Sequence, residues 1–308
     1  MSVGVTTNTA VTAVTATEHS GSAEGVPLTA LLVAAARAVE THRPDALARD
    51  RYAEHFVRAA PAAAHWPLHP RDVPDGEADP LWGRLGRYLA LRTRALDDQL
   101  LRAGQLGARQ VVLLGAGLDA RAYRLDWPAH CTLYEIDRPE VLAFKQRVLD
   151  GIEARPTAPH RVTLGADLRT DWAEALTGAG FRPDRPTAWL AEGLLPHLPA
   201  AAERELFATV DRLSAPGSTL AYEAKTGTES AAVRANPVYT ATLERTGLDL
   251  LALLDAEPRP DTPADLAARG WSTTAHTPFE FTRHYGRGPL PEPDDALAAN
   301  RWVFAVRP

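Results

Sequence analysis

The chain has 308 residues, a formal net charge of −6, 45% hydrophobic residues and 23% charged residues. That balance fits a globular protein with a sizeable core, and no Lys/Arg run or aromatic–basic interleaving points to nucleic acid. A single cysteine, Cys131, excludes an intramolecular disulfide and a cysteine zinc site, and reads as a buried structural thiol.

Residues 1–25 are rich in Thr, Ala, Val and Ser and lack the basic and apolar regions of a signal peptide, so they read as a disordered tail. No stretch approaches the roughly 20 apolar residues of a membrane helix, which points to a cytoplasmic protein with no membrane partner. Residues 27–57 read as helices, because Leu28, Leu31, Leu32, Ala35 and Val39 recur at helical spacing. Pro44 and Asp45 break the pattern, and it resumes at Arg51. Residues 61–80 are rich in Pro and read as a loop, and 81–101 as a further helix. Residues 26–106 thus form a helical cap on a core spanning 107–308. His42, His55, His65 and His69 lack metal-ligand spacing, so no metal is expected.

Strand–helix alternation begins after Gly107. Residues 110–114 (QVVLL) form a short apolar run that ends in GAG, as a buried parallel strand would. Further strands are expected at 132–136, ending at Asp137; 161–164, ending near Asp167; 187–191, ending at Glu192; and 218–222, ending at Glu223. Helices are expected at 140–151, 172–178 and 201–213. Two final strands, 272–275 and 302–306, read as a hairpin-like pair. The fold class is α/β: a Rossmann-like, doubly wound, mostly parallel sheet with an N-terminal helical cap, in a single domain.

Open α/β sheets bind ligands beyond the carboxyl ends of their strands, at the switch in strand order. Those ends carry Gly115-Ala116-Gly117, Asp137, Asp167 and Glu192. Glycines let the backbone turn tightly and approach a ligand. Asp137 follows Gly115 by 22 residues, near the spacing of an acid that accepts hydrogen bonds from ribose hydroxyls. A nucleoside-containing ligand follows. GAGLDA (115–120) also meets the loose G-x-G-x-x-G/A pattern of NAD-binding proteins, but Asp119 falls where a pyrophosphate would lie. Acids at successive strand ends better suit a cationic ligand with hydroxyls, such as a sulfonium.

VVLLGAGLDARAYRL (111–125), YEIDRPEV (134–141), ADLRTDW (166–172) and AWLAEGLLPHLP (188–199) together resemble the leucine carboxyl methyltransferase-like family of class I S-adenosylmethionine-dependent methyltransferases. The segment 29–57 is similar to the cap of its actinobacterial branch. The resemblance implies S-adenosyl-L-methionine as cofactor and S-adenosyl-L-homocysteine as product. It implies that Gly115, Ala116 and Gly117 pass under the methionine part, that Asp137 holds the ribose, and that Asp167 and Leu168 line the adenine. Arg92 would meet the cofactor's carboxylate, and Glu192 its amino group or the methyl acceptor. Two positions depart from the family's pattern: Ala120 replaces a frequent threonine, and His197 stands where many relatives carry a tyrosine.

The expected function is O-methylation of a small molecule or natural product, with a carboxylate ahead of a phenol. A carboxylate is ionised at neutral pH and needs only orientation, whereas a phenol benefits from a base. His197 is the candidate base and acceptor contact, together with Glu192. Tyr123 either closes the pocket around the methyl group or packs in the core. His284 to Arg287 either line an acceptor pocket or form a surface turn. The partner is a small-molecule acceptor, and the protein acts as a monomer or homodimer. The rival readings are an NAD(P)-dependent oxidoreductase, which the two lysines, Lys145 and Lys225, serve poorly, and a non-catalytic S-adenosylmethionine-binding regulatory protein.

Overall fold

A computed structural model describes residues 22–23, 25–170, 172–227, 229–254 and 257–308. The disordered tail expected from the sequence therefore falls almost wholly outside the described residues. Among the described residues, no helix is long and apolar enough to cross a membrane.

Seven strands make the main sheet: β1 Gln110–Leu114, β2 Thr132–Asp137, β3 His160–Gly165, β4 Thr187–Ala191, β5 Thr219–Lys225, β6 Ser272–His276 and β7 Asn300–Val306. Their order is β3-β2-β1-β4-β5-β7-β6. The first five are parallel, and β7 runs antiparallel to both β5 and β6. All five residues of β1 and all five of β4 are buried, as expected of apolar strands covered on both faces. Strand β3 lies at the edge and is partly exposed along its length. The chain winds outward in both directions from β1, so the switch point lies between β1 and β4. The last two strands do pair, but not as a hairpin: a helix at Pro278–Tyr285 separates them, and β7 inserts between β5 and β6.

The cap consists of α1 (Leu28–Thr41), α2 (Ala53–Ala59) and α3 (Gly86–Gln105). The expected helix at 81–101 begins as a π turn at Pro80–Leu85, where the Asp79 carboxylate accepts from Leu81 N and Trp82 N at 2.9 and 2.7 Å. This carboxylate satisfies N–H groups that a helix start leaves unpaired. In the core, the short α4 (Arg121–Arg124) follows the glycine turn, and α5 (Pro139–Gly151), α6 (Trp172–Gly178) and α7 (Ala200–Arg212) connect successive strands. Between β5 and β6 lie α8 (Ala231–Arg234), α9 (Pro237–Thr246), α10 (Leu250–Leu254) and α11 (Thr262–Ala268), and α12 (Pro278–Tyr285) precedes β7.

Side chains alternate across the sheet. Val111, Leu113 and Leu133 face the cap and join Leu31, Phe56, Leu91 and Leu96 in one apolar cluster. Val112, Leu114, Ile136 and Trp189 face the other way, onto Leu206 and Val210 of α7. Truncating a side chain such as Leu91 to alanine would cost about 2–5 kcal/mol. Cys131 is buried, and burial pushes its thiol up to about 11. The segment 284–287 ties the core to the cap: Tyr285 donates to Asp98 at 2.9 Å, and Arg287 pairs with Asp45 at 2.9 Å and Glu40 at 3.3 Å.

Candidate active site

Beyond β1 the chain turns through Gly115 (φ +68°) and Gly117 (φ +46°), in the left-handed region that glycine adopts without steric cost. A Cβ at Gly115 would lie 2.9 Å from Leu194 Cδ1. The turn is fastened to β2. Ala116 N donates to Ile136 O at 2.9 Å, and Gly117 N donates to Asp137 Oδ2 at 2.6 Å. Asp137 Oδ1 accepts from Arg138 N at 2.7 Å. Burial pushes the Asp137 carboxyl up, and these two backbone donors oppose that. Two backbone bonds leave the partly buried carboxylate lone pairs for a diol.

At the end of β3, the Asp167 carboxylate is gripped by Arg169, whose Nη2 and Nε donate at 2.6–3.0 Å. Hydrogen bonding from Arg169 holds its carboxyl below the usual range. Leu168 beside it is buried.

At the end of β4, Glu192 sits inside a ring of arginines. Arg37 Nη2 and Arg92 Nε donate to its Oε1 at 2.8 and 3.0 Å, and Arg121 Nη1 donates to Oε2 at 2.7 Å. Burial works against its ionisation, but Arg121, Arg37 and Arg92 together hold the carboxyl well below its ordinary range. Arg121 is fully buried and also binds Asp97 Oδ1, at 2.6 Å, and Asp119. Arg124 closes on Asp97 at 2.5 and 2.8 Å and reaches Asp50 at 3.8 Å. On the other side, Arg92 Nη1 donates to Glu223 Oε2 at 2.6 Å. Glu223 also accepts from the Tyr88 hydroxyl, which in turn accepts from Trp302 Nε1 at 3.3 Å. Gly193 (φ +62°) carries the chain past this cluster, and a Cβ there would come 3.7 Å from Arg92 Nη1.

The structure therefore brings together Arg92, Gly115, Ala116, Gly117, Asp137 and Glu192, with Asp167 and Leu168 two strands out from β1. It adds Arg37, Tyr88, Asp97, Arg121 and Glu223. Asp119 is a correction: it does not face a ligand's phosphates but turns inward, where it binds Arg121 and accepts from Arg121 N at 2.7 Å. Tyr123 is not brought to the cluster. Its ring packs on Tyr52 and beneath the Arg161 guanidinium, and it lines a surface cleft of about 480 Å³ with Gln146, Asp150 and Arg155. His197 ends the turn Leu195–His197 on the β4 side; burial, then the charges of Arg138 and Arg259, lower its imidazole.

The strand order and this site define a Rossmann-like core of the class I methyltransferase kind. A solved structure from Thermobifida fusca, provisionally described as a methyltransferase, shares this fold with a TM-score of 0.50 at 17% identity, over 82% of this chain and 94% of that one. The leucine carboxyl methyltransferase family profile matches residues 30–211. A Streptomyces coelicolor protein is 62% identical over 96% of this chain and 98% of its own, and one from Mycobacteroides abscessus 43% identical over 91% and 94%. Both are provisionally designated S-adenosyl-L-methionine-dependent methyltransferases. The chain belongs to the leucine carboxyl methyltransferase family.

Proposed function

We propose that this protein transfers a methyl group to an oxygen of a small-molecule acceptor. As a member of its family it is an S-adenosyl-L-methionine-dependent methyltransferase. The observation that carries the reading is the charge of the site. In the ion-paired chain, Arg37, Arg92, Arg121 and Arg124 face Asp50, Asp97, Asp119, Glu192 and Glu223, which leaves one carboxylate in excess. A ligand with net positive charge, such as a sulfonium amino acid, balances that excess. A dinucleotide's pyrophosphate would add to it. The cofactor, when bound, supplies an electrophilic methyl group on sulfur.

The chain's own residues bind and orient. Gly115, Ala116 and Gly117 give close backbone approach, and Asp137 accepts from the ribose hydroxyls. Asp167 and Leu168 border the adenine. Arg92, joined by Arg37, receives the cofactor's carboxylate, and Glu192 lies beside its amino group. Glu192 stands nearest the acceptor on the β4 side, and His197 lies in the turn that follows it. Positioning alone contributes about 7–11 kcal/mol in well-oriented reactions. The family resemblance puts a carboxylate acceptor first and a phenol second.

Calorimetric titration of S-adenosylmethionine and S-adenosylhomocysteine, with NADPH as control, tests the cofactor on wild type and Asp137→Ala. The variant loses two charge-assisted hydrogen bonds of about 1.5–3 kcal/mol each, so its affinity falls by about 100-fold or more. Tight NADPH binding, or unchanged affinity in the variant, overturns the reading. Bound cofactor without turnover of carboxylic or phenolic acceptors would favour a regulatory protein.

A further inference from the structure

Glu223 lies at the carboxyl end of β5, next along the sheet from Glu192 on β4. If the ribose is held at β2 and the adenine near β3, the ligand runs toward β4 and its reactive end faces β5. Nothing in the proposed cofactor contacts uses Glu223. Yet the fold fixes its carboxylate from two elements: Arg92 and Tyr88 from α3, and Trp302 of β7 behind Tyr88. Oε1 accepts from Tyr88 and Oε2 from Arg92, and the four lone-pair sites of a carboxylate leave room for a further donor. Its side chain stays 15% exposed, more open than the 6% of Arg92.

Resting on the reading of the site as a methyltransferase centre, we propose that Glu223 is the acceptor-side base and that the acceptor is a protic oxygen nucleophile, a phenol or enol, rather than a carboxylate. The acceptor oxygen forms its bond to the methyl carbon as the carbon–sulfur bond breaks, with that electron pair staying on sulfur. The acceptor's proton passes to a Glu223 oxygen. One positive charge on sulfur and one negative charge on Glu223 disappear together, and the products are a thioether, a methyl ether and a neutral carboxyl group.

Charge separates the two acceptor classes. The network's excess carboxylate is balanced by the cofactor's net positive charge. A carboxylate acceptor would add a second, uncompensated negative charge beside Glu223, whereas a hydroxyl adds none. Burial supports the role by pushing the Glu223 carboxyl up to about 7, against the pull of the Trp302 indole and Lys225. A base poised there is matched to neutral pH. The charged and titratable groups around it are Arg92 and Tyr88 from α3, Lys225 on its own strand, and Glu192 beyond Arg92. His197 is set apart, near Arg138 and Arg259.

The test compares wild type, Glu223→Gln and Tyr88→Phe in single-turnover methyl transfer from S-adenosylmethionine to a panel of phenols and carboxylic acids between pH 5.5 and 9. S-adenosylhomocysteine affinity is measured in parallel. Wild type should methylate phenols, with a rate that rises through about pH 7 and then levels. Glu223→Gln should lose that inflection and about 10²–10⁴ of the rate, the usual reach of general-base catalysis. Its S-adenosylhomocysteine affinity should stay within about threefold, which would also show that the variant is folded. Tyr88→Phe should keep the inflection and shift it. Turnover of carboxylic acids but not phenols, or a Glu223→Gln profile that keeps both rate and inflection, overturns the assignment while leaving the cofactor reading intact. Loss of cofactor binding in wild type would instead overturn the cofactor reading.

Discussion

Replacing Arg121 with methionine removes a fully buried guanidinium that touches three carboxylates: Asp97, Asp119 and Glu192. Removing one partner of a buried pair costs about 3–5 kcal/mol, and a sum over three contacts would be three times that. The network argues against the sum. Asp97 keeps both bonds from Arg124, and Glu192 keeps Arg37 and Arg92. Only Asp119 is left without a cation, so the cost is that of a single pair. At about 2–4 °C per kcal/mol for a domain of this size, the melting temperature falls by about 10 °C at pH 7.5. The deficit should narrow toward pH 5, as the stranded Asp119 takes up a proton. Adding Asp119→Asn should restore part of the loss. Scanning calorimetry of the three proteins over that pH range is the assay. A drop below about 2 °C, or one as large as three broken pairs would give, refutes the account of shared partners.

Gly115→Ala places a residue at φ +68° with its Cβ against Leu194, so stability should fall by about 1–2 kcal/mol and S-adenosylhomocysteine affinity with it, read by urea unfolding and calorimetry. Glu192 is held well below its ordinary value of 4.5, so its share of stability is whole above that pH and is lost as pH falls through the lowered native value. Glu192→Gln should accordingly flatten the acid limb of melting temperature against pH below about 4.5, and an unchanged limb would contradict the pairing. His197→Phe should lower turnover by less than about tenfold and leave the pH–rate inflection near 7 in place, since its imidazole lies beside Arg138 and Arg259. Loss of the inflection would move the base from β5 to β4.

The positions of the five parallel strands were legible because β1 and β4 are short apolar runs and a glycine or an acid lies at or near the end of each strand. The places of Gly115, Gly117, Asp137 and Glu192 at the ends of their strands were legible for the same reason. The partners of those acids were not legible. Arg37 and Glu192 are 155 residues apart, and Arg121 and Glu192 are 71 apart, so no local pattern links them. A signal for Arg37 did exist: it is the lone charge in the run LLVAAARAV, where an arginine has to be paired inside. Asp119 misled because its residue type was read without its direction. Glu223 was visible as a strand end, but its tie to Tyr88 and Arg92 required the docked cap. The insertion of β7 was hidden because strand order is set by the helices between strands, and α8 to α12 are short.

That inserted strand has a consequence for how the protein is made. Among the described residues, strand β6 has no sheet neighbour except β7, and β7 is translated after it. From the moment residue 225 completes β5 until residues 300–306 arrive, the outer edge of β5 has no strand beside it. At ribosomal rates of about 5–20 residues per second, that interval lasts about 4–15 s. An unpaired edge is a template for pairing with another chain. The nascent protein's need for a chaperone is therefore greatest while α8 to α12 are being synthesised, and it ends when Trp302 slides in beneath Tyr88.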